Sequence, residues 1–224
     1  LLEAIIRRGE YMKSKGKCGF CNDLFSGTTV TKHLQVCTKR KEAQTKEPMK
    51  EKIFLLRAGE GPFWVYFEVK ASSSLKEIDS FLRELWLECC GHLSAFRIQE
   101  QTYAVEPDSE FWDKTMGVRI ANVLAPGLSF SHEYDFGTTT ELNLKCLAER
   151  TGQLKGIPVL AKNEFPSFPC HHCEKEESKK ICSQCLWDKE WMFCSSCTKK
   201  HDCDEDMFLP VVNSPRMGAC GYTG

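Results

Sequence analysis

The sequence predicts an α+β chain: a central mixed strand-and-helix layer domain flanked by two small modules rich in cysteine and histidine. Three observations predict it. Ten of the 14 cysteines fall into two clusters, at residues 18–37 and 170–203, with histidines interleaved in both. Between the clusters, short runs alternate apolar and polar residues as half-buried strands do, bounded by Gly- and Pro-containing turns. One stretch in the middle instead repeats its apolar residues at helical spacing behind a capping signal. The boundaries expected are 1–45 for the basic N-terminal module, 46–52 for a linker, 53–162 for the central domain and 163–224 for the C-terminal module and tail.

A chain of 224 residues that is 42% hydrophobic can bury one ordinary core with satellite modules. No apolar run reaches the roughly 18–20 residues needed to cross a bilayer. The opening "LLEAIIRRGEYMKSKGK" places an apolar hexapeptide before its basic residues, the reverse of a secretory signal, so a cytoplasmic location is expected. The net charge of −1 conceals an uneven distribution. Residues 1–52 carry 12 Lys/Arg against 6 Asp/Glu, residues 53–162 carry 11 against 15, and residues 163–224 carry 7 against 10. Only the N-terminal end is basic.

The clustered cysteines fit metal better than disulfides. A disulfide framework has no use for histidine or for repeated Cys-x-x-Cys pairs. A tetrahedral zinc site uses both, because one tight turn presents two thiolates to a single ion.

In the first cluster the spacing is Cys18-x2-Cys21-x11-His33-x3-Cys37, which resembles a ββα zinc finger closed by cysteine. Phe25 and Val30 occupy its aromatic and helix-core positions, with four residues between them where such fingers have five. The helix is expected to begin near residues 26–28 and to run past Cys37 into "TKRK". Docked in a DNA groove, it would turn Ser26, Thr28, Thr29 and Lys32 towards base edges and hold Lys39, Arg40 and Lys41 near phosphates. The alternative is a protein-binding knob with a solvated basic tail. One finger covers only about three base pairs.

In the central domain, "KIFLLRAGEGPFWVYFEVK" reads as two strands around a turn. Ser74 and Glu77 form a capping box ahead of Leu75, Ile78, Phe81, Leu82, Leu85 and Trp86, a helical stripe that Gly91 can terminate in a left-handed conformation. Cys89 and Cys90 are expected to be small buried hydrophobes at the helix end. "LSAFRIQEQTYAV" reads as a strand or hairpin, residues 113–124 as a short helix, and "LSFSHEYDFGTTTELNLKCLAER" as two strands joined around Gly137. His92, His132, Glu133 and Asp135 are the groups with acid–base chemistry. No nucleophile elbow, phosphate loop or paired-carboxylate spacing accompanies them. Asp135 reads more simply as the acceptor of a strand-turn unit.

Residues 53–150 resemble the Ri-plasmid ORF-three-like family, whose domains occur on plasmids and as passenger proteins of insertion sequences. His92, Leu93 and Phe96 match its His-Leu-x-x-Phe strand, and Tyr134, Asp135, Phe136 and Gly137 match its Tyr-Asp-Phe-Gly turn. The chain departs from the family at 138–142, where Thr-Thr-Thr-Glu-Leu stands in place of Asp, Trp and His. The resemblance implies an α+β fold and a plasmid or transposon-associated context.

The second cluster is a ladder: Cys170-x2-Cys173-x8-Cys182-x2-Cys185-x8-Cys194-x2-Cys197-x3-His201-x-Cys203. Four pairs supply eight ligands, enough for two ions, wired either sequentially or crosswise. The short regular spacers and closing His-x-Cys resemble the B-box, AN1 and MYND group of cross-brace modules. The expected sets are therefore Cys170, Cys173, Cys194 and Cys197 for one ion, and Cys182, Cys185, His201 and Cys203 for the other. His171 and His172 are alternates to Cys173. Trp187, Trp191, Met192 and Phe193 would cover the metal, dock on the central domain or form a partner surface. The apolar "MFLPVV" suggests a tail that returns to the body of the protein, and Cys220 is either a spare ligand or a free thiol.

Filled donor sets leave no position for substrate, so three structural zinc ions and no catalysis are expected. The function expected is that of a nucleic-acid-associated accessory or regulatory protein of mobile-element origin, with a protein partner and no membrane. The rivals are a protein–protein adaptor built on the zinc modules and an enzyme acting on nucleic acid.

Overall fold

The computed structural model describes residues 14–45, 51–108, 110, 113–186, 188 and 190–224. The whole apolar opening, residues 46–50 of the expected linker and Trp187 lie outside them. The described chain contains both strands and helices, as an α+β fold requires. No helix among the described residues is long and apolar enough to cross a membrane.

The centre is built from a hairpin, β3 (Glu51–Glu60) and β4 (Phe63–Lys70), paired in register from Ile53↔Lys70 to Glu60↔Phe63. Strand β3 begins inside the segment read as linker. The alternation along β4 separates two environments. Phe63, Val65, Phe67 and Val69 join the main core beneath helix α3 (Leu75–Leu82), whereas Trp64 and Tyr66 join a second core on the opposite face. Both faces of this strand are covered, which is why even its polar-phase positions are aromatic.

The Ser74 hydroxyl and Glu77 carboxylate reciprocate across the start of α3, with Ser74 N–H donating to Glu77 Oε2 at 2.7 Å. Leu75, Ile78, Leu82 and Trp86 are buried along one stripe. The helix continues as a π-turn over Arg83–Leu87, and Gly91 stands beyond its end at φ +80°. There its N–H donates to Glu88 Oε1 at 2.7 Å, so Gly91 shapes the following loop rather than the helix terminus.

Strands β5 (Ser94–Ile98) and β6 (Gln101–Ala104) form a tight hairpin; β8 (Ser129–Tyr134) and β9 (Thr140–Gly152) form a second one across Gly137. Residues 113–124 hold a two-residue strand, β7 (Lys114–Thr115), and a single 3₁₀ turn (Ile120–Asn122) instead of the expected helix. Backbone bonds from Ile120 to Ser73 and from Ala121 to Ala71 tie this segment to the start of α3, so tertiary pairing takes the groups a helix would have used.

The N-terminal module is continuous with the sheet. Strand β1 (Lys15–Cys18) pairs with β2 (Leu24–Ser26) on one side and with β10 (Val159–Asn163) on the other. Among the described residues the sheet has ten strands, ordered β2-β1-β10-β4-β3-β9-β8-β5-β6-β7. The seam at β1 admits only glycine at position 16. A Cβ there would stand 2.1 Å from the Lys162 carbonyl oxygen and 2.6 Å from Trp64 Cη2. Gly16→Ala is therefore expected to destabilise the protein by about 1–3 kcal/mol, measured by chemical denaturation.

Helix α1 (Thr29–Val36) lies over the face opposite α3, burying Val30 and Leu34 against Trp64, Tyr66 and Leu160. Tyr66 Oη bonds Thr31 Oγ1 at 2.6 Å and the Gly27 carbonyl at 2.7 Å. Helix α1 stops at Cys37, whose ψ of 113° is not helical, and α2 (Thr38–Thr45) starts afresh. The single helix expected to run through Cys37 is thus two helices.

The C-terminal module is a three-stranded sheet, ordered β12 (Met192–Phe193), β11 (Lys180–Cys182) and β13 (Phe208–Pro210), with a short helix α4 (Ser195–Thr198). Trp191 and Met192 enter the main core, while Phe193 lies among the cysteines of its own module. The tail then returns to the central domain. Ser214 Oγ donates to the Trp86 carbonyl at 2.6 Å, and Arg216 is wholly buried.

Candidate metal centres

None of the 14 cysteines forms a disulfide. Twelve Cys and His residues at the two ends of the chain instead gather into three groups of four, with all donor atoms of a group within 4.8 Å of one another.

The first group is Cys18, Cys21, His33 and Cys37. Cys18 ends β1, and the turn to β2 folds Cys21 back beside it, with Asn22 in the left-handed region at φ 65°. Helix α1 carries His33 on the inner side, with Nε2 3.4 Å from Cys21 Sγ. Phe25 stacks on the imidazole at 3.9 Å and 19°, fixing the plane in which that nitrogen points. The helix break at Cys37 turns its thiol towards the other three.

The C-terminal ligand pairs meet as alternates along the chain. Cys170, Cys173, Cys194 and Cys197 form one group and Cys182, Cys185, His201 and Cys203 the other. Cys182 sits on β11, and Cys194 precedes α4, which brings Cys197 round beside it. Phe193 stands beside both groups, its ring 4.4 Å from that of His201. His171 and His172 join neither. His171 packs edge-on against Trp191, and the exposed His172 lies 3.0 Å from Glu190.

The spacing of these atoms suits zinc. Bonds of about 2.3 Å to sulfur and about 2.0–2.1 Å to nitrogen give tetrahedral edges of about 3.8 Å between sulfurs and about 3.5 Å between sulfur and nitrogen. The observed edges are 3.9 Å for Cys173–Cys194, 3.6 Å for Cys185–Cys203 and 3.4 Å for Cys185–His201. The electrostatics agree. Burial, followed by neighbouring thiols, pushes Cys185 and Cys197 up to about 12. Cys173 is drawn down to about 6 by backbone N–H groups of Lys175 and Glu176. A divalent cation placed among such a set would supply the positive charge that lets its thiols ionise together.

The residues expected to face nucleic acid divide. Thr28, Thr29, Lys32, Lys39 and Lys41 are exposed. Ser26 is half-buried and its Oγ accepts the Thr29 N–H at 3.2 Å, holding the first turn of α1. Arg40 requires correction. It is buried, donates to the Leu34 carbonyl and pairs with Glu68 Oε1 of β4 at 2.7 Å, so no phosphate can reach it. Arg150 of β9 grips the same carboxylate at 2.6–2.8 Å. Burial alone would raise the Glu68 carboxyl, but the two guanidinium groups outweigh it and hold it below its ordinary value.

The acid–base candidates are each held by side-chain partners. His132 is fully buried and lies 2.7 Å from Asp79, while Glu133 is gripped by Arg97 at 2.6 and 3.1 Å. Asp135 accepts the N–H groups of Gly137 and Thr138 through one oxygen and Arg216 through the other. The segments 92–96 and 134–137 adjoin: Asp135 N–H donates to the Leu93 carbonyl at 2.9 Å, and His92 N–H to Tyr134 Oη at 3.3 Å.

A further group was missed by the sequence reading. Cys89 and Cys90 are not buried hydrophobes; Cys90 is exposed, and both lie with His92 and Cys220. The available signal was a Cys-Cys-x-His run together with one unassigned cysteine, but the separation of more than a hundred residues hid their meeting.

No family model matches the chain, and no curated protein matches it. Among solved structures, the crystal structure of a protein of unknown function from Methanosarcina mazei Go1 aligns with 47% of this chain at 13% identity and a TM-score of 0.39. The alignment spans 64% of that protein, less than two thirds of its length, and at this similarity neither fold nor function transfers.

Proposed function

We propose that the chain is a non-catalytic, zinc-organised binding protein that engages nucleic acid through its N-terminal finger. Three structural zinc ions would be held by Cys18/Cys21/His33/Cys37, by Cys170/Cys173/Cys194/Cys197 and by Cys182/Cys185/His201/Cys203, the last two as a cross-brace. Each set fills four tetrahedral positions with protein groups, the pattern of structural rather than catalytic sites. Zinc supplies those sites with a fixed centre of positive charge; the donors, the stacked Phe25 and the backbone N–H groups do the orienting.

The observation that carries the nucleic-acid reading is the finger's division into two sides. Val30, Leu34 and Arg40 lock one side to the sheet, and Thr28, Thr29, Lys32, Lys39 and Lys41 remain exposed. These cations would capture phosphate electrostatically, with release of counterions. The mobile-element context rests on the resemblance of residues 53–150 alone.

The triple variant Lys32→Glu, Lys39→Glu, Lys41→Glu tests this. Fluorescence anisotropy with DNA and RNA oligonucleotides at low salt is expected to show binding by the native chain. The variant should bind at least tenfold more weakly, with a salt slope lower by about 2–3. Zinc content should not change, because none of the three is a donor. Equal binding by both proteins, or none by either, favours an adaptor. That second reading has its own support: Val36 and Leu24 on the finger are 65% and 51% exposed, apolar surface suited to a protein partner.

A further inference from the structure

The three groups described above draw their donors from within one short segment each. Cys89, Cys90, His92 and Cys220 do not, for they join the end of the α3 region to the C-terminal tail. Their edges are 3.8 Å for Cys89–Cys90, 3.1 Å for Cys90–His92, 3.6 Å for Cys90–Cys220 and 3.3 Å for His92–Cys220. Three of these lie within 0.2 Å of edges in the other groups and the Cys90–His92 edge is shorter, while both sulfur–sulfur distances are far from the roughly 2.05 Å of a disulfide.

The backbone on both sides is shaped to deliver them. Gly91, at φ +80°, reverses the chain between Cys90 and His92. Cys220 itself stands at φ 48°, between Gly218 at φ 82° and Gly221 at φ 68°. A non-glycine residue held there costs about 1–3 kcal/mol, and such strain persists only where its surroundings demand it. Tyr134 Oη receives the N–H groups of Cys89 and His92 at 3.4 and 3.3 Å, which fixes the loop.

The charges fit as well. Three thiolates and one imidazole around a divalent ion carry a net charge of −1. The buried Arg216 guanidinium lies 3.7 Å from Cys89 Sγ and so faces that excess. Asp135, 3.5 Å from His92 Nε2, is already engaged by Arg216 and two backbone N–H groups and is not needed as a donor.

We propose that Cys89, Cys90, His92 and Cys220 form a fourth metal site for a zinc-class ion, and that this ion clasps the C-terminal tail to the central domain. It differs from the other three in accessibility. Cys90 and Cys220 are exposed and the other two half-exposed, so its ion meets solvent and competing chelators first. The site is a clasp that a cell's free zinc can close or open, whereas the other three hold their modules together.

The full-length chain, purified anaerobically with reductant, tests the proposal by metal analysis and native mass spectrometry. Wild type is expected to hold four zinc ions, and Cys220→Ser and Cys90→Ser three each. A mild colorimetric chelator should remove one ion from wild type in a fast phase that both variants lack. In hydrogen exchange, residues 214–224 should lose protection in the variants while β11 and α1 keep theirs. Wild-type zinc content in both variants, or a Cys90–Cys220 disulfide in the reduced wild-type protein, overturns the proposal. Loss of more than one ion in both variants overturns it too, since the site would not be separable. The finger and cross-brace reading fails separately, if wild type holds fewer than three ions.

Discussion

Cys182→Ser is expected to unfold the whole C-terminal module, not merely to empty one site. Cys182 is completely buried on β11, the middle strand of the three-stranded sheet. Its group and the neighbouring one alternate along the chain, so each ion closes a loop that contains ligands of the other. Structural zinc contributes about 10–16 kcal/mol to such modules, comparable to or larger than the roughly 5–15 kcal/mol that holds a typical domain. Around its cysteines the segment packs only Phe193, Met207 and Phe208, while Ile181, Leu186, Trp191 and Met192 point into the main core instead. Zinc analysis should show the loss of two ions, and hydrogen exchange should show loss of protection across β11, β12 and β13. Cys146→Ala provides the contrast. That thiol is equally buried on β9, where burial pushes it up to about 11, but among the described residues it joins no group of metal donors. Zinc content should be unchanged, at a modest cost in stability.

The second large effect concerns Glu68. Its carboxylate is buried between Arg40 from the N-terminal module and Arg150 from β9, with side-chain exposures of 3%, 9% and 18%. Glu68→Gln removes the buried carboxylate that both guanidinium groups bind. Breaking a buried pair in this way costs about 3–5 kcal/mol. Urea denaturation at neutral pH should show that loss. Because the folded-state value is depressed, the native carboxylate stabilises at pH above its ordinary range of about 4.3. That contribution disappears as pH falls through the depressed folded value. The gap between wild type and Glu68→Gln should therefore narrow on acidification below about pH 4. A gap independent of pH would mean that packing, not charge, joins the module to the sheet.

What the sequence disclosed depended on the range over which its signals act. The capping box of Ser74 and Glu77, the β3–β4 turn and the Cys-x-x-Cys ladder are local, and each element stands where its residues put it. Long-range pairing was not visible. Nothing in "KGKC" announces that β1 will add itself to β10 about 145 residues later. Arg40 looked like one more cation in a basic run, because its partner Glu68 lies in a different element. The aromatic phase of β4 was the missed clue. Trp64 and Tyr66 on the face opposite Phe63, Val65 and Phe67 imply a cover, and helix α1 is that cover. The same limitation hid the Cys89, Cys90, His92 and Cys220 group, whose donors read separately as small apolar residues, an acid–base histidine and a spare ligand or free thiol.

The order of the ten-stranded sheet bears on how the molecule fails. Both flanks end in stubs, three residues in β2 and two in β7, too short to template a foreign chain. One of those stubs, β2, lies between Cys21 and His33 of the first group, so an ion held there would help to keep it in place. Strip that ion, and the row of N–H and C=O groups along Val159–Asn163 loses its neighbour and becomes an open, sticky border. Zinc starvation would then show itself as precipitation and not as simple unfolding, with the N-terminal module acting as the guard that keeps copies of this chain from zipping together.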